Sequence, residues 1–162
     1  MSTMTPDPSY TFISQFRYRG AGVLVTLHEE EMGRFLQVWR TAKASGASLP
    51  TVDDPDYASF EALLVHVCRW SRTYLFWICE HLKLPDPAIK PAPDAKVIES
   101  EAENYLEEVL EAWTSPLRDV DQDRIFKPEY VSPWGVKYSI EAMLEHAVMH
   151  PVRHRYQLEE LI

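Results

Sequence analysis

Four stretches of this 162-residue chain carry apolar side chains at alternating spacings of three and four residues, and proline-rich segments separate them. This spacing places the apolar side chains on one side of an α-helix. Proline and glycine favour the ends of such helices, because proline lacks an amide donor and glycine readily adopts a left-handed conformation. The pattern therefore predicts an all-α fold of four helices that pack along their apolar faces and are joined by Pro-rich connections.

The predicted helices cover residues 20–45, 60–82, 96–114 and 140 to the end of the sequence. The first should bury a series of side chains at helical spacing, namely Ala21, Val25, His28, Met32, Phe35 and Trp39. Ser59 is the expected N-cap of the second helix, because its hydroxyl can accept from a free amide of the first turn. The segment 115–138 is predicted as a long loop, in which Ile125-Phe126 could pair briefly with residues 136–138. Loops of this length in a compact domain are often functional.

The length suits one domain covering residues 1–162. The net charge is −9, which repels phosphate groups, so neither nucleic acid nor an anionic membrane is an expected partner. The segment Met1–Pro8 lacks a basic stretch followed by an apolar one, so we expect no signal peptide.

Cys68 and Cys79 lie on the same predicted helix, with Cα atoms about 16 Å apart at the rise of an α-helix. That separation is too great for a disulfide. Two buried thiols in a reducing compartment are expected instead, which favours a cytoplasmic protein.

Three histidines follow one another at intervals of four in the last predicted helix: His146, His150 and His154. Residues four apart lie on the same helical face, so their imidazoles can turn toward a common point. His150 and His154 occupy apolar-face positions, where an unpaired imidazole is costly. A bound metal explains both, because neutral imidazole is a common ligand of zinc and related ions.

His66, on the apolar second helix, is the candidate for a third metal ligand; a hydrogen-bonded core histidine is the alternative. His146 lies one turn above the site and is interpreted as a residue that supports the ligands or is satisfied elsewhere. His28 could be a fourth ligand, although a buried histidine bonded to a neighbour is the favoured interpretation.

Pro151 stands between the two ligand candidates of the last helix. It removes the hydrogen bond to the carbonyl of Ala147, at a cost of about 3 kcal/mol. Either the helix bends and keeps His150 and His154 on one face, or it ends at His150 and the site is lost. The bend is favoured, because the apolar spacing continues in phase to Leu161.

These residues carry a family resemblance. His66 in Ala-Leu-Leu-Val-His-Val-Cys-Arg-Trp, then Gly135, then His150-x-x-x-His154-Arg-Tyr-Gln157 resembles the DinB/YfiT-like family of metalloenzymes over essentially the whole chain. The resemblance implies an up-down-down-up four-helix bundle, often dimeric, with a divalent metal held by His66, His150 and His154. The chain departs from the family in Pro151 and in Tyr156, which replaces a frequent glycine.

The resemblance also implies a class of activity. Family members include transferases and isomerases that use low-molecular-weight thiols. We therefore expect a small-molecule metalloenzyme, a hydrolase or thiol transferase, with zinc, nickel or iron as cofactor. The alternative is a non-catalytic helical bundle that binds ligands or serves in a stress response.

No side chain stands out as a general base, and the chain has no G-x-S-x-G, phosphate-loop or H-E-x-x-H motif. Candidates to line the cavity are Glu30, Glu31 and Tyr138. Arg155 and Gln157 could orient metal ligands or a substrate anion; equally, they could be a surface charge and a polar residue of the helix face.

Overall fold

The computed structural model describes residues 7–162, and all but the last two residues of the segment Met1–Pro8 lie outside that range. The elements in chain order are α1 (Pro8–Ile13), α2 (Arg19–Ala44), a 3-10 turn (Pro55–Tyr57), α3 (Phe60–Leu82), α4 (Ile98–Trp113), α5 (Gln122–Phe126), β1 (Tyr130–Val131), β2 (Lys137–Tyr138) and α6 (Ile140–Glu159). The prediction of an all-α fold is confirmed at this level. No helix in this range is long and apolar enough to cross a membrane.

The four long helices agree closely with the four predicted segments. The predicted buried positions of α2 are all buried, and Ser59 caps α3 by accepting from the amide of Ala62 at 3.0 Å. Ser139 caps α6 in the same way through Ala142 at 3.1 Å. After α2 the chain turns at Gly46, whose φ of +76° suits a residue without a Cβ.

The core lies between the long helices. α2 packs chiefly on α6, and α3 packs on both α4 and α6. The largest fully buried side chains of the core include Trp39 of α2, Tyr74 of α3 and Trp113 of α4. The contact between α3 and α6 positions the site, because it brings the helix of His66 against the helix of His150 and His154.

The loop before α6 holds more structure than predicted. Ile125 and Phe126 do not form a strand, because they belong to α5, where Ile125 is fully buried. The strand that pairs with Lys137–Tyr138 is Tyr130–Val131, in antiparallel register. Gly135, at φ +86°, allows the intervening turn.

Helix α6 runs through Pro151 and ends at Glu159. The alternative in which the helix stops at His150 is therefore wrong. His150 and His154 remain one helical turn apart on the same face, and both are buried.

Candidate metal centre

Three imidazoles from two helices meet at one point. Nε2 of His150 lies 3.0 Å from Nε2 of His66 and 3.3 Å from Nε2 of His154. A ligand atom from each of the three lies within 4.8 Å of the others, which is close enough for all three to hold one metal ion. The grouping predicted from sequence is thus reproduced in space.

The spacing of these nitrogens suits a small divalent cation. With metal–nitrogen bonds of about 2.05 Å, separations of 3.0 and 3.3 Å correspond to angles at the metal of about 94° and about 107°. Both values lie between octahedral and tetrahedral geometry. Within residues 7–162 the cluster contains three residues, so a bound ion would keep at least one position for water or substrate.

The back of the His66 ring is held by a carboxylate. Nδ1 of His66 lies 2.8 Å from Oδ2 of Asp56, and the same oxygen accepts from Nη2 of Arg69 at 2.9 Å. Since a carboxylate only accepts, Nδ1 of His66 must carry the proton. The lone pair of Nε2 then points toward His150, as a metal ligand requires.

The side-chain amide of Gln157 orients His154 as Asp56 orients His66, through a hydrogen bond at Nδ1. Nδ1 of His154 lies 2.9 Å from Oε1 of Gln157, one helical turn further along α6, and 3.4 Å from the hydroxyl of Tyr57. A proton on Nδ1 satisfies the amide oxygen and leaves the Nε2 lone pair free. Gln157 therefore orients a candidate ligand, as one of its two sequence-based interpretations proposes.

Burial keeps the three imidazoles neutral. The pKa of His150 falls to about 2, mainly because the ring is buried, and a proton on His150 would also be repelled by any proton on its neighbours His154 and His66. Burial likewise lowers the pKa of His154 to about 4. It also lowers the pKa of His66, although Asp56 partly offsets the effect. At neutral pH the cluster consequently offers unprotonated nitrogens, the form that binds metal.

Aromatic rings cover the site on the side of the β-hairpin. Trp70 packs edge-on to the ring of His66 at 6.4 Å, and Tyr74 packs edge-on to His150 at 5.7 Å. Trp134, in the turn between the strands, stacks on His146 at 4.6 Å. His66 keeps 13% of its side chain exposed, so this ring marks where the centre approaches the surface.

His146 lies outside the three-histidine group. Its ring centroid is 6.4 Å from that of His150, and its Nδ1 lies 3.5 Å from the hydroxyl of Tyr138. Burial, together with the charge of Arg153, lowers its pKa. It supports the aromatic cover next to the site, in line with its predicted position one turn above.

His28 also lies outside the three-histidine group, and both of its ring nitrogens have other partners. Nδ1 lies 3.0 Å from the carbonyl of Ala147, and Nε2 lies 2.8 Å from Oγ of Ser71. Ala147 is the residue whose carbonyl Pro151 deprives of its helical donor, so His28 supplies the missing hydrogen bond. The structure places His28 as a buried link between α2, α3 and α6.

The remaining candidates fall on the α2–α6 contact. Nε of Arg155 donates to Glu31 at 3.2 Å, and its Nη1 donates to Glu159 at 2.8 Å. Glu31 is buried and also pairs with Arg34, while Glu30 lies on the exposed side of α2. Arg155 therefore joins two helices in an ion-pair network, and its guanidinium is engaged away from the histidines.

The sequence interpretation did not include Asp56 and Tyr57. Both belong to the 3-10 turn that precedes α3, where Asp54 accepts from the amide of Asp56 at 2.9 Å. A signal existed, because Asp54 followed by Pro55 is a typical helix start.

Comparison with models of known protein families, with curated proteins and with solved structures gives no match.

Proposed function

We propose that this protein binds one divalent metal ion through His66, His150 and His154 and uses it as a metalloenzyme acting on a small molecule. The observation that carries the proposal is the convergence of three Nε2 atoms. In two of these rings, those of His66 and His154, Nδ1 is hydrogen-bonded on the side away from the cluster. Asp56 and Gln157 provide those contacts at 2.8 and 2.9 Å. Such outer partners are typical of functional metal sites.

The donor set indicates the kind of chemistry. A divalent ion with three neutral ligands keeps its full positive charge, so when bound it would acidify a coordinated water or thiol and polarise a substrate carbonyl. The protein's own part is to fix the ligand geometry and to limit access of bulk water. Trp70, Tyr74 and Trp134 form the cover that does the latter.

We further propose that the chain is a DinB/YfiT-like four-helix bundle with up-down-down-up connectivity, forms a homodimer and works in the cytoplasm. The support is the His-x-x-x-His-Arg-x-Gln pattern of α6 together with a histidine early in α3. On this basis the reaction is hydrolysis or transfer involving a low-molecular-weight thiol, with zinc, nickel or iron as the metal. Nucleic acid and membranes are not proposed as partners, since the net charge is −9.

Metal content tests the first part of the proposal. Protein purified without a histidine tag should carry close to one equivalent of zinc, nickel or iron by elemental mass spectrometry. The double substitution His150→Ala and His154→Ala should remove it. The matched control is His81→Ala, because His81 lies on α3 but stacks on Tyr130 instead of joining the cluster. Metal-free protein that also fails to take up added zinc would contradict the proposal.

Activity tests the second part. Hydrolysis of p-nitrophenyl acetate, and its thiolysis by added 2-mercaptoethanol, should depend on the metal, stop with a chelator and return when metal is restored. The non-catalytic alternative, a ligand-binding or stress-response module, predicts metal-independent ligand binding and no turnover by either route. The two assays therefore separate a metalloenzyme from a helical binding module.

A further inference from the structure

A cavity lies next to the metal centre, against the C-terminal end of α6. It has a volume of about 480 Å³, within the range of small-molecule sites. Most of its lining is apolar, consisting of Leu49, Pro50, Val52, Leu63, Leu158 and Leu161. Leu63 and Leu158 are buried, so the cavity has a floor of core side chains with a more exposed rim.

Two polar residues of the cavity wall also touch a candidate metal ligand. The wall includes Tyr57 and Gln157, whose polar atoms lie 3.4 and 2.9 Å from Nδ1 of His154. Nε2 of His154 faces the other two histidines, so the cavity and the metal position lie on opposite sides of one ring. The cavity is therefore separate from the point where the three histidines meet.

Charge restricts what this cavity can accept. Its remaining lining residues are Asp54 and Glu160, two exposed acids, and the lining contains no Lys or Arg. A carboxylate or phosphate ligand would meet repulsion at the rim and no cationic partner inside. The Tyr57 hydroxyl and the Gln157 amide can instead donate to or accept from one neutral polar group.

We propose that this cavity is a binding site for an uncharged, mainly apolar small molecule that carries a single hydrogen-bonding group. Its apolar part packs on Leu63 and Leu158, and its polar group meets Tyr57 or Gln157. The site is distinct from the metal centre, because none of the three histidines of the cluster lines the cavity.

The probe is 2-naphthol, an aromatic alcohol that is uncharged at neutral pH, compared with 2-naphthoate, an anion of similar shape. Titration of the chelator-treated protein, followed by probe fluorescence and calorimetry, should give saturable 1:1 binding of 2-naphthol. The affinity for 2-naphthoate should be weaker by roughly tenfold or more, about 1.4 kcal/mol. The zinc-loaded protein should also bind 2-naphthol.

Val52→Glu should weaken 2-naphthol binding by roughly tenfold, since it places a third carboxylate at the cavity. Val52 is 53% exposed, so the substitution should not prevent folding. Leu161→Glu, beyond the end of α6, serves as a second blocking variant. The matched control is Leu27→Glu, a half-exposed position on α2 that does not line the cavity.

Absence of saturable binding would overturn the proposal, as would equal affinity for 2-naphthoate or an equal loss in Leu27→Glu. Failure here is distinguishable from failure of the metal proposal, because the main titration uses metal-free protein. The single variant His150→Ala, which keeps the His154 ring between the cavity and the metal centre, can be titrated in parallel. It should lose metal yet still bind 2-naphthol.

Discussion

Asp56→Asn should weaken zinc binding without unfolding the protein. The carboxylate holds Nδ1 of His66 at 2.8 Å, so it both fixes the proton on that nitrogen and adds negative charge behind the ligand. The amide of asparagine can still accept from Nδ1, but it removes the charge. The substitution therefore isolates the electrostatic part of the contact.

The size of the effect follows from the distances. Adding the width of the imidazole ring and a zinc–nitrogen bond to 2.8 Å places the carboxylate oxygen about 7 Å from the ion. A charge of −1 and one of +2 at that distance attract by about 5 kcal/mol at an effective dielectric constant of about 20. Asp56 is partly exposed and paired with Arg69, so most of this is screened. A loss of about 1.4 to 2.7 kcal/mol, or about 10- to 100-fold in affinity, is expected.

The assay is competition for zinc with a chromophoric chelator at constant pH and ionic strength. Asp53→Asn is the matched control, because it removes the same charge from a neighbouring exposed position of the same loop. A change of less than about threefold in Asp56→Asn would refute the reasoning. An equal loss in Asp53→Asn would show that long-range charge, and not the contact with His66, is responsible.

Three further outcomes follow from buried groups away from the cluster. Burial lowers the pKa of His28 to about 4, so this imidazole binds more protons in the unfolded state than in the folded state between pH 6.5 and 4. His28 should therefore contribute about 3 kcal/mol to the fall in the free energy of unfolding as the pH drops through that window, and urea titrations of His28→Gln with chelator present should show a fall that is smaller by this amount. Ser71→Ala leaves Nε2 of His28 without its partner at 2.8 Å and should lower the free energy of unfolding by about 1 to 3 kcal/mol in the same titration, whereas an unchanged midpoint would contradict the link. Burial raises the pKa of Cys68 to about 12 and that of Cys79 to about 11, so Ellman's reagent should react with neither at a measurable rate in the native protein and with both in urea; rapid native reaction would rule out their buried placement.

The long helices were predictable because their signals are local. Apolar spacing, a serine cap such as Ser59 and a stop such as Gly46 act within a few residues of each other, and each lies where the structure has it. The strand partner of residues 137–138 was assigned wrongly for the same reason. Ile125 and Tyr130 have similar strand preferences, and only tertiary packing places Ile125 in a buried helical turn.

The three histidines were identifiable because apolar-face positions of a helix rarely hold imidazole. Their partners were not, since the contact between Asp56 and His66 depends on how a loop folds back against α3. Arg155 illustrates the opposite difficulty. A charged residue beside two ligands suggested a role in the site, but Glu31, 124 residues earlier in the chain, engages its guanidinium.

Pro151 has a consequence for how the long helices align along their axes. The carbonyl of Ala147 cannot be satisfied within α6, and the imidazole that satisfies it belongs to α2 and is anchored to α3 as well. If α6 moved along its axis by one turn, Nδ1 of His28 and the carbonyl of Ala147 would both be buried without a hydrogen-bond partner. The hydrogen bond between these two neutral groups therefore fixes the axial position of α6 without a metal ion. The positions of His150 and His154 along α6 relative to His66 are then fixed before a metal ion binds. None of the free energy of metal binding is needed to align the helices.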